Sequence, residues 1–248
     1  MSFVTVRRES GIATVVLERG KVNALNPAVV EELAAAFEAL RDDAEARAVI
    51  LTATGRFFSF GFDIPEFLSS TREEFASFLA RFTTLYRTLF SYPKPLVAAL
   101  NGHAVAGGCM LALAADTAIV AQGNAKIALN EIAFGSSVFA GSTEMLRFRT
   151  GARASEVLYS GAMYAPAEAH ELGLVSEVVA AEALLDRARE IAGDLASKRP
   201  AAFASIKALL RKPVADAMAA REAASIAEFV DIWYSEPTWT NLRNITIR

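Results

Sequence analysis

The sequence has one cysteine, Cys109, and two histidines, His103 and His170. A lone cysteine cannot close an internal disulfide, which predicts a reducing, cytoplasmic setting. Neither histidine stands at a metal-ligand spacing from carboxylates, so no metal site is expected. There is no extended Lys/Arg run and the net charge is -3, which argues against nucleic acid or an anionic membrane as the main partner. The longest apolar run, Ala104 to Ala115, spans 12 residues and is interrupted by glycine. A helix that crosses a bilayer needs roughly 20. The segment Met1-Ser-Phe-Val-Thr-Val-Arg-Arg8 alternates like a strand and lacks the apolar stretch of a signal peptide, so no export is expected. Also missing are a G-x-S-x-G elbow, a P-loop, and a G-x-G-x-x-G after the first strand, which leaves a nucleotide-dependent kinase or dehydrogenase without support.

What the chain does have is apolar mass. Hydrophobic residues make up 53% of 248 positions and charged residues only 21%, enough for a large core and for a subunit interface as well. Phe3 to Arg7 and Ile12 to Leu17, either side of Glu9-Ser10-Gly11, read as an opening hairpin. Asn26 is placed to cap a helix that has Pro27 at its first position and Val29, Leu33, Phe37 and Leu40 on one face. Ala48 to Ala53 is nearly all apolar, the pattern of a strand buried on both faces. The aromatic-rich stretch from Gly55 to Ile64 reads as a loop. Thr71 and Glu74 then form a capping box for a long helix that presents Phe75, Phe78, Phe82 and Leu89 on one side. Strands are expected at Leu96 to Leu100, Thr117 to Ala121, Ile127 to Leu129 and Leu174 to Val179. Alternation of strands and helices predicts an α/β core. The last 50 or so residues read as two helices, one with Phe203, Ile206, Leu209 and Leu210 on a face and the next with Ile226, Phe229, Val230 and Trp233.

Few residues here can do chemistry. In Asn101-Gly102-His103-Ala104-Val105-Ala106-Gly107-Gly108, an apolar strand gives way to a small-residue loop and then to a helix. Backbone N–H groups at such a helix start are unpaired and suit an oxyanion or phosphate; close packing with glycine supplying room is the equal alternative. Cys109, just inside the helix, reads as a small core residue, because no base lies near it in sequence. His170 reads as a surface or packing residue. Glu131, in Leu129-Asn130-Glu131-Ile132-Ala133-Phe134-Gly135, is a carboxylate set in apolar sequence. It is either paired structurally, held with a raised pKa for proton transfer, or solvated in a loop.

Phe58-Ser-Phe-Gly-Phe-Asp-Ile64 and Asn101-Gly-His-Ala-Val-Ala-Gly-Gly-Cys109 resemble the two signatures of the crotonase (enoyl-CoA hydratase/isomerase) superfamily, and Ala115-Asp116, Leu129-Asn-Glu-Ile132 and Ala165 to Val175 continue the likeness along nearly the whole chain. The resemblance implies an α/β fold with a spiral core of ββα units (ClpP/crotonase-like) over residues 1–195, and a helical C-terminal region, 196–248, packed on that core or on a neighbouring subunit. It also implies an acyl-CoA thioester substrate, no separate cofactor because coenzyme A is part of the substrate, and assembly as a homotrimer or dimer of trimers. By the same resemblance the backbone N–H groups of Phe62 and Gly107 form an oxyanion hole, and backbone from Phe60 through Gly61, Phe62 and Asp63 to Ile64 holds the CoA moiety.

Hydratases of this family use two glutamates, one directly after Gly-Gly-Cys and one at the position of Glu131. Here the first position is Met110. One buried base can move a proton from C2 to C4 of a 3-enoyl thioester. The pattern therefore most resembles a 3,2-trans-enoyl-CoA isomerase, with Glu131 as the proton shuttle. The alternatives are an enoyl-CoA hydratase, with Glu144 as a second acid from another loop, and a catalytically silent CoA-binding homologue.

Overall fold

The structure, a computed structural model, describes residues 2–245; Met1 and residues 246–248, the outer ends of the two expected regions, lie outside it. Strands β1 (Val4–Glu9) and β2 (Ile12–Leu17) form the expected hairpin. Helix α1 (Pro27–Asp42) follows, with the Asn26 side chain accepting from the Val29 amide at 3.1 Å. After β3 (Ala48–Ala53) come β4 (Phe57–Ser59), the short α2 (Ile64–Phe67) and α3 (Arg72–Phe90). Helix α3 starts at a reciprocal cap: the Glu74 amide donates to the Thr71 hydroxyl, and the Thr71 amide donates to the Glu74 carboxylate. The chain continues through β5 (Leu96–Leu100), β6 (His103–Val105), α4 (Gly107–Ala114), β7 (Thr117–Ala121) and β8 (Ile127–Ala128). Helices α5 (Ala140–Thr150), α6 (Ala154–Ser160) and α7 (Pro166–Glu171) precede β9 (Glu177–Val179), and α8 (Leu184–Ser197), α9 (Pro200–Trp233) and α10 (Glu236–Arg243) end the described chain.

Six strands form one sheet in the order β1-β2-β3-β5-β7-β9, parallel except for the opening hairpin. Its central strands are nearly all apolar because both faces are covered. Ile50, Val97, Ala99 and Ile119 face α8, while Val49, Leu51, Ala98 and Val120 join the larger core on the other side. Period-two alternation along the strand sends neighbouring residues to opposite layers. Three short parallel strands, β4-β6-β8, make a second sheet. Two of them correct the sequence reading, which took the stretches holding β4 and β6 as loops. Strands of 3 residues are too short to show a hydrophobic period, and only pairing with distant chain defines them.

The C-terminal region also differs from expectation. In place of two helices there is one of 34 residues, which runs through Pro213 and docks on α3 and α5. Pro213 is exposed, so the hydrogen bond it forfeits lies on the solvent side. Of the two expected placements for the apolar face at the start of this helix, on the core or on a neighbouring subunit, the core is not the one taken: Ile206, Leu209 and Leu210 are 60%, 77% and 61% exposed, and Lys207 and Arg211 are buried instead. The reason is Asp116, which pairs with the Lys207 ammonium at 2.7 Å and the Arg211 guanidinium at 3.3 Å. Arg211 also donates to the carbonyls of Phe90, Ala114 and Ala115. Its charge thus meets the negative end of α4. Among the described residues no helix is long and apolar enough to cross a membrane.

Candidate active site

The second sheet explains how distant segments meet. Its three strands are parallel, so all their C-terminal ends lie on one edge. Strand β4 ends into Phe60-Gly61-Phe62, β6 into Ala106-Gly107, and β8 into Leu129-Asn130-Glu131. Crevices at the carboxyl ends of parallel strands are where α/β proteins bind ligands. A cavity of about 300 Å³ opens there; Phe60, Phe62, Ile64, Ala106, Glu131 and Trp233 are among the residues that line it.

The loops approach closely enough to exclude side chains. Gly61 has φ +89°, and a Cβ on it would lie 3.0 Å from Ala106 Cβ and 3.1 Å from the Val105 carbonyl oxygen. At Gly108 a Cβ would fall 2.3 Å from the Ser59 carbonyl oxygen. Glycine at these two positions lets the first turn of α4 sit directly on the β4 edge.

Two amides are left free by this arrangement. Leu25 forms a parallel bridge with Phe62, its amide donating to Gly61 O at 2.8 Å and its carbonyl accepting from Asp63 N at 3.0 Å. That pattern engages the residues on either side of Phe62 and turns the Phe62 N–H away from Leu25. The Gly107 N–H opens α4 with no side-chain cap. Among the described residues neither amide has a hydrogen-bond partner. Immediately before Gly107, Ala106 adopts φ 50° and ψ -121°, a backbone conformation costly for any residue with a Cβ. No sequence signal marks this turn.

Glu131 begins a one-turn 3-10 helix, Glu131–Phe134, and is 4% exposed. Burial pushes its carboxyl up to about 8, opposed by a hydrogen bond from its own backbone. Its Oε2 is buried without a partner, so neither the paired nor the solvated alternative describes it. Among the described lining residues it is the one ionisable side chain. Met110 is 1% exposed and packs in the core. Glu144 does not line the cavity; its carboxylate lies 2.5 Å from Arg221 and 3.5 Å from Arg147, which corrects its candidacy as a second acid.

The remaining sequence candidates take structural places. Gly61 packs behind the cavity wall, and Asp63 caps α2 and pairs with Arg19 at 2.7 Å. Cys109 is buried, and burial, with Glu131 adding to it, holds the thiol well above its usual range. His103 stacks on Phe57 at 4.7 Å and His170 Nδ1 lies 3.3 Å from the Val175 carbonyl. Among the described residues no three His, Cys, Asp or Glu cluster in a way that could hold a metal ion.

Sequence reasoning missed Glu222. It is buried in α9, accepts from the Tyr86 hydroxyl at 2.7 Å and the Gly141 amide at 3.3 Å, and so ties α9 to α3 and α5. Burial raises its pKa. It shares a helix stripe with Phe229 and Trp233, which line the cavity, and that spacing was the available signal.

Against known proteins, the enoyl-CoA hydratase/isomerase family model matches residues 7–236. The chain belongs to this family, and its spiral α/β architecture with a helical C-terminal region is the crotonase fold. A probable enoyl-CoA hydratase of Bacillus subtilis (strain 168) is 36% identical over 213 residues, 85% of this chain and 82% of that protein. The 2,3-dehydroadipyl-CoA hydratase of Escherichia coli (strain K12) is 33% identical over 214 residues, 86% and 83% of the two chains. Human mitochondrial delta3-delta2-enoyl-CoA isomerase superposes with a TM-score of 0.92 at 29% identity, over 97% of this chain and 95% of that one.

Proposed function

We propose that this enzyme isomerises 3-enoyl-CoA to trans-2-enoyl-CoA. The single observation that carries the reading is that Glu131 is the one ionisable side chain among the described residues lining the cavity. The thioester oxygen accepts from the Phe62 and Gly107 amides, and backbone from Phe60 to Ile64 holds the CoA moiety. Glu131 takes a proton from C2, the C2–H electrons delocalise through the thioester onto that oxygen and across the C3–C4 double bond, and the proton is returned at C4 as the double bond settles between C2 and C3. The base is regenerated and nothing is consumed. Each amide that meets the developing oxyanion is worth about 2.7–4 kcal/mol in the transition state. A free carboxylate with little hydration suits the shuttle, because burial has already raised its affinity for the proton.

The second reading, hydratase, is favoured by the names of the Bacillus subtilis and Escherichia coli relatives. It requires a second carboxylate to hold and activate water, and Met110 and Arg-paired Glu144 supply none. We further propose that the enzyme acts in the cytoplasm as a homotrimer or dimer of trimers, without a separate cofactor. Exposed Ile206, Leu209 and Leu210 support assembly.

The test is to assay pure protein on 3-enoyl-CoA and trans-2-enoyl-CoA side by side. Isomerisation should exceed hydration; faster hydration overturns the reading.

A further inference from the structure

One wall of the cavity is an aromatic ring held in a cluster of others. Phe62 lines it, and the same ring meets Phe78 at 5.1 Å and Phe82 at 5.0 Å, both nearly edge-on. Phe67 and Phe75 complete the cluster behind it, and all four are 2% exposed or less. The ring is also held from the side: a Cβ on Gly107 would stand 3.2 Å from Phe62 Cε1. It cannot swing aside without opening a hole in a close-packed core. Phe62 is therefore a fixed wall and not a gate.

We propose that the Phe62 side chain sets the depth of the acyl subsite and restricts the enzyme to short acyl chains, no longer than hexanoyl. This rests on the acyl-CoA reading above, which puts the thioester oxygen on the amide of Phe62. The acyl carbons next to that carbonyl then run along the ring of the same residue. A cavity of about 300 Å³ is at the lower limit for a small-molecule site. One residue thus serves twice, its backbone orienting the carbonyl and its side chain terminating the chain.

Saturated acyl-CoAs do not react, so their dissociation constants report depth apart from chemistry. Butyryl-, hexanoyl-, octanoyl- and decanoyl-CoA should be titrated by calorimetry into the wild type, Phe62→Leu and Phe62→Ala. Wild-type affinity should rise by about fourfold per methylene as far as hexanoyl and then level off. In Phe62→Ala the rise should continue through octanoyl, with Phe62→Leu between the two and available as the better-folded variant if alanine loosens the cluster. A wild-type rise that continues through decanoyl, or the same profile in all three proteins, overturns the proposal while leaving isomerisation in place. The expected profile without turnover of 3-enoyl-CoA keeps the depth limit and overturns the isomerase reading; no binding of any ester overturns both.

Discussion

Leu25 and Phe62 meet in a single isolated parallel bridge, and this one contact decides which way the Phe62 amide points. Because Leu25 takes Gly61 O and Asp63 N, the N–H between them is turned away from the bridge. On its other side Gly61 leaves room for Val105 and Ala106, and the Ala106 turn presents the other free amide from β6. In the proposed reaction these two amides are fixed before substrate arrives, which is where electrostatic stabilisation is most effective.

Glu131 predicts a pH dependence with a definite sign. A base is active when ionised, and burial pushes this carboxyl up to about 8. The kcat/KM for 3-enoyl-CoA should rise with pH through that region and then level off. Glu131→Gln should lower it by about 10²–10⁴-fold and abolish the rise, while saturated acyl-CoA esters still bind. Stability has the opposite slope. With the folded pKa above the unfolded one, the protonated side chain's advantage is complete below the ordinary glutamate range and is lost as pH climbs through about 8. Thermal melts from pH 5 to 9 should show Glu131→Gln gaining on the wild type.

Gly108→Ala probes the contact between α4 and β4. Its new methyl would lie 2.3 Å from the Ser59 carbonyl oxygen, a backbone atom that cannot move alone. Urea denaturation should report a loss of about 1–3 kcal/mol. Steady-state kinetics should show a further defect, a fall in kcat/KM of about 100-fold, because the Gly107 amide shifts with the helix start. A variant as active as the wild type would mean that the two loops can separate without disturbing the donors.

The parts that sequence displays well are those fixed by near neighbours. The Asn26 cap, the Thr71/Glu74 box and the apolar faces of α1 and α3 depend on residues within a few positions of one another. Glu131 was conspicuous as a carboxylate in apolar sequence, and the glycine loops around it were readable as tight spots. Strands β4 and β6 were hidden because pairing to distant chain, not local pattern, makes them strands. The φ of Ala106 is imposed by what lies on either side of it. Glu222 was missed because its partners, Tyr86 and Gly141, come from other helices. The same applies to the inward turn of Lys207 and Arg211, which only the position of Asp116 could have indicated.

Asp116 is the anchor that makes that inward turn tolerable, and its removal should be costly in a recognisable way. Its carboxylate accepts from the Leu96 amide at 2.8 Å as well as from Lys207. Asp116→Asn leaves two buried cations beside each other, and breaking a buried pair in this way costs about 3–5 kcal/mol. The two cations then behave differently. Arg211 stays charged, whereas burial already holds the Lys207 ammonium below its usual range, with Asp116 as the main opposing influence. Without that carboxylate Lys207 sheds its proton in the folded state and keeps it in the unfolded chain, so the unfolded state binds more protons and stability rises with pH. Urea denaturation of Asp116→Asn should therefore show a deficit that is largest near neutrality and shrinks toward pH 9. A deficit that does not change with pH would mean that Lys207 finds another partner when Asp116 is gone.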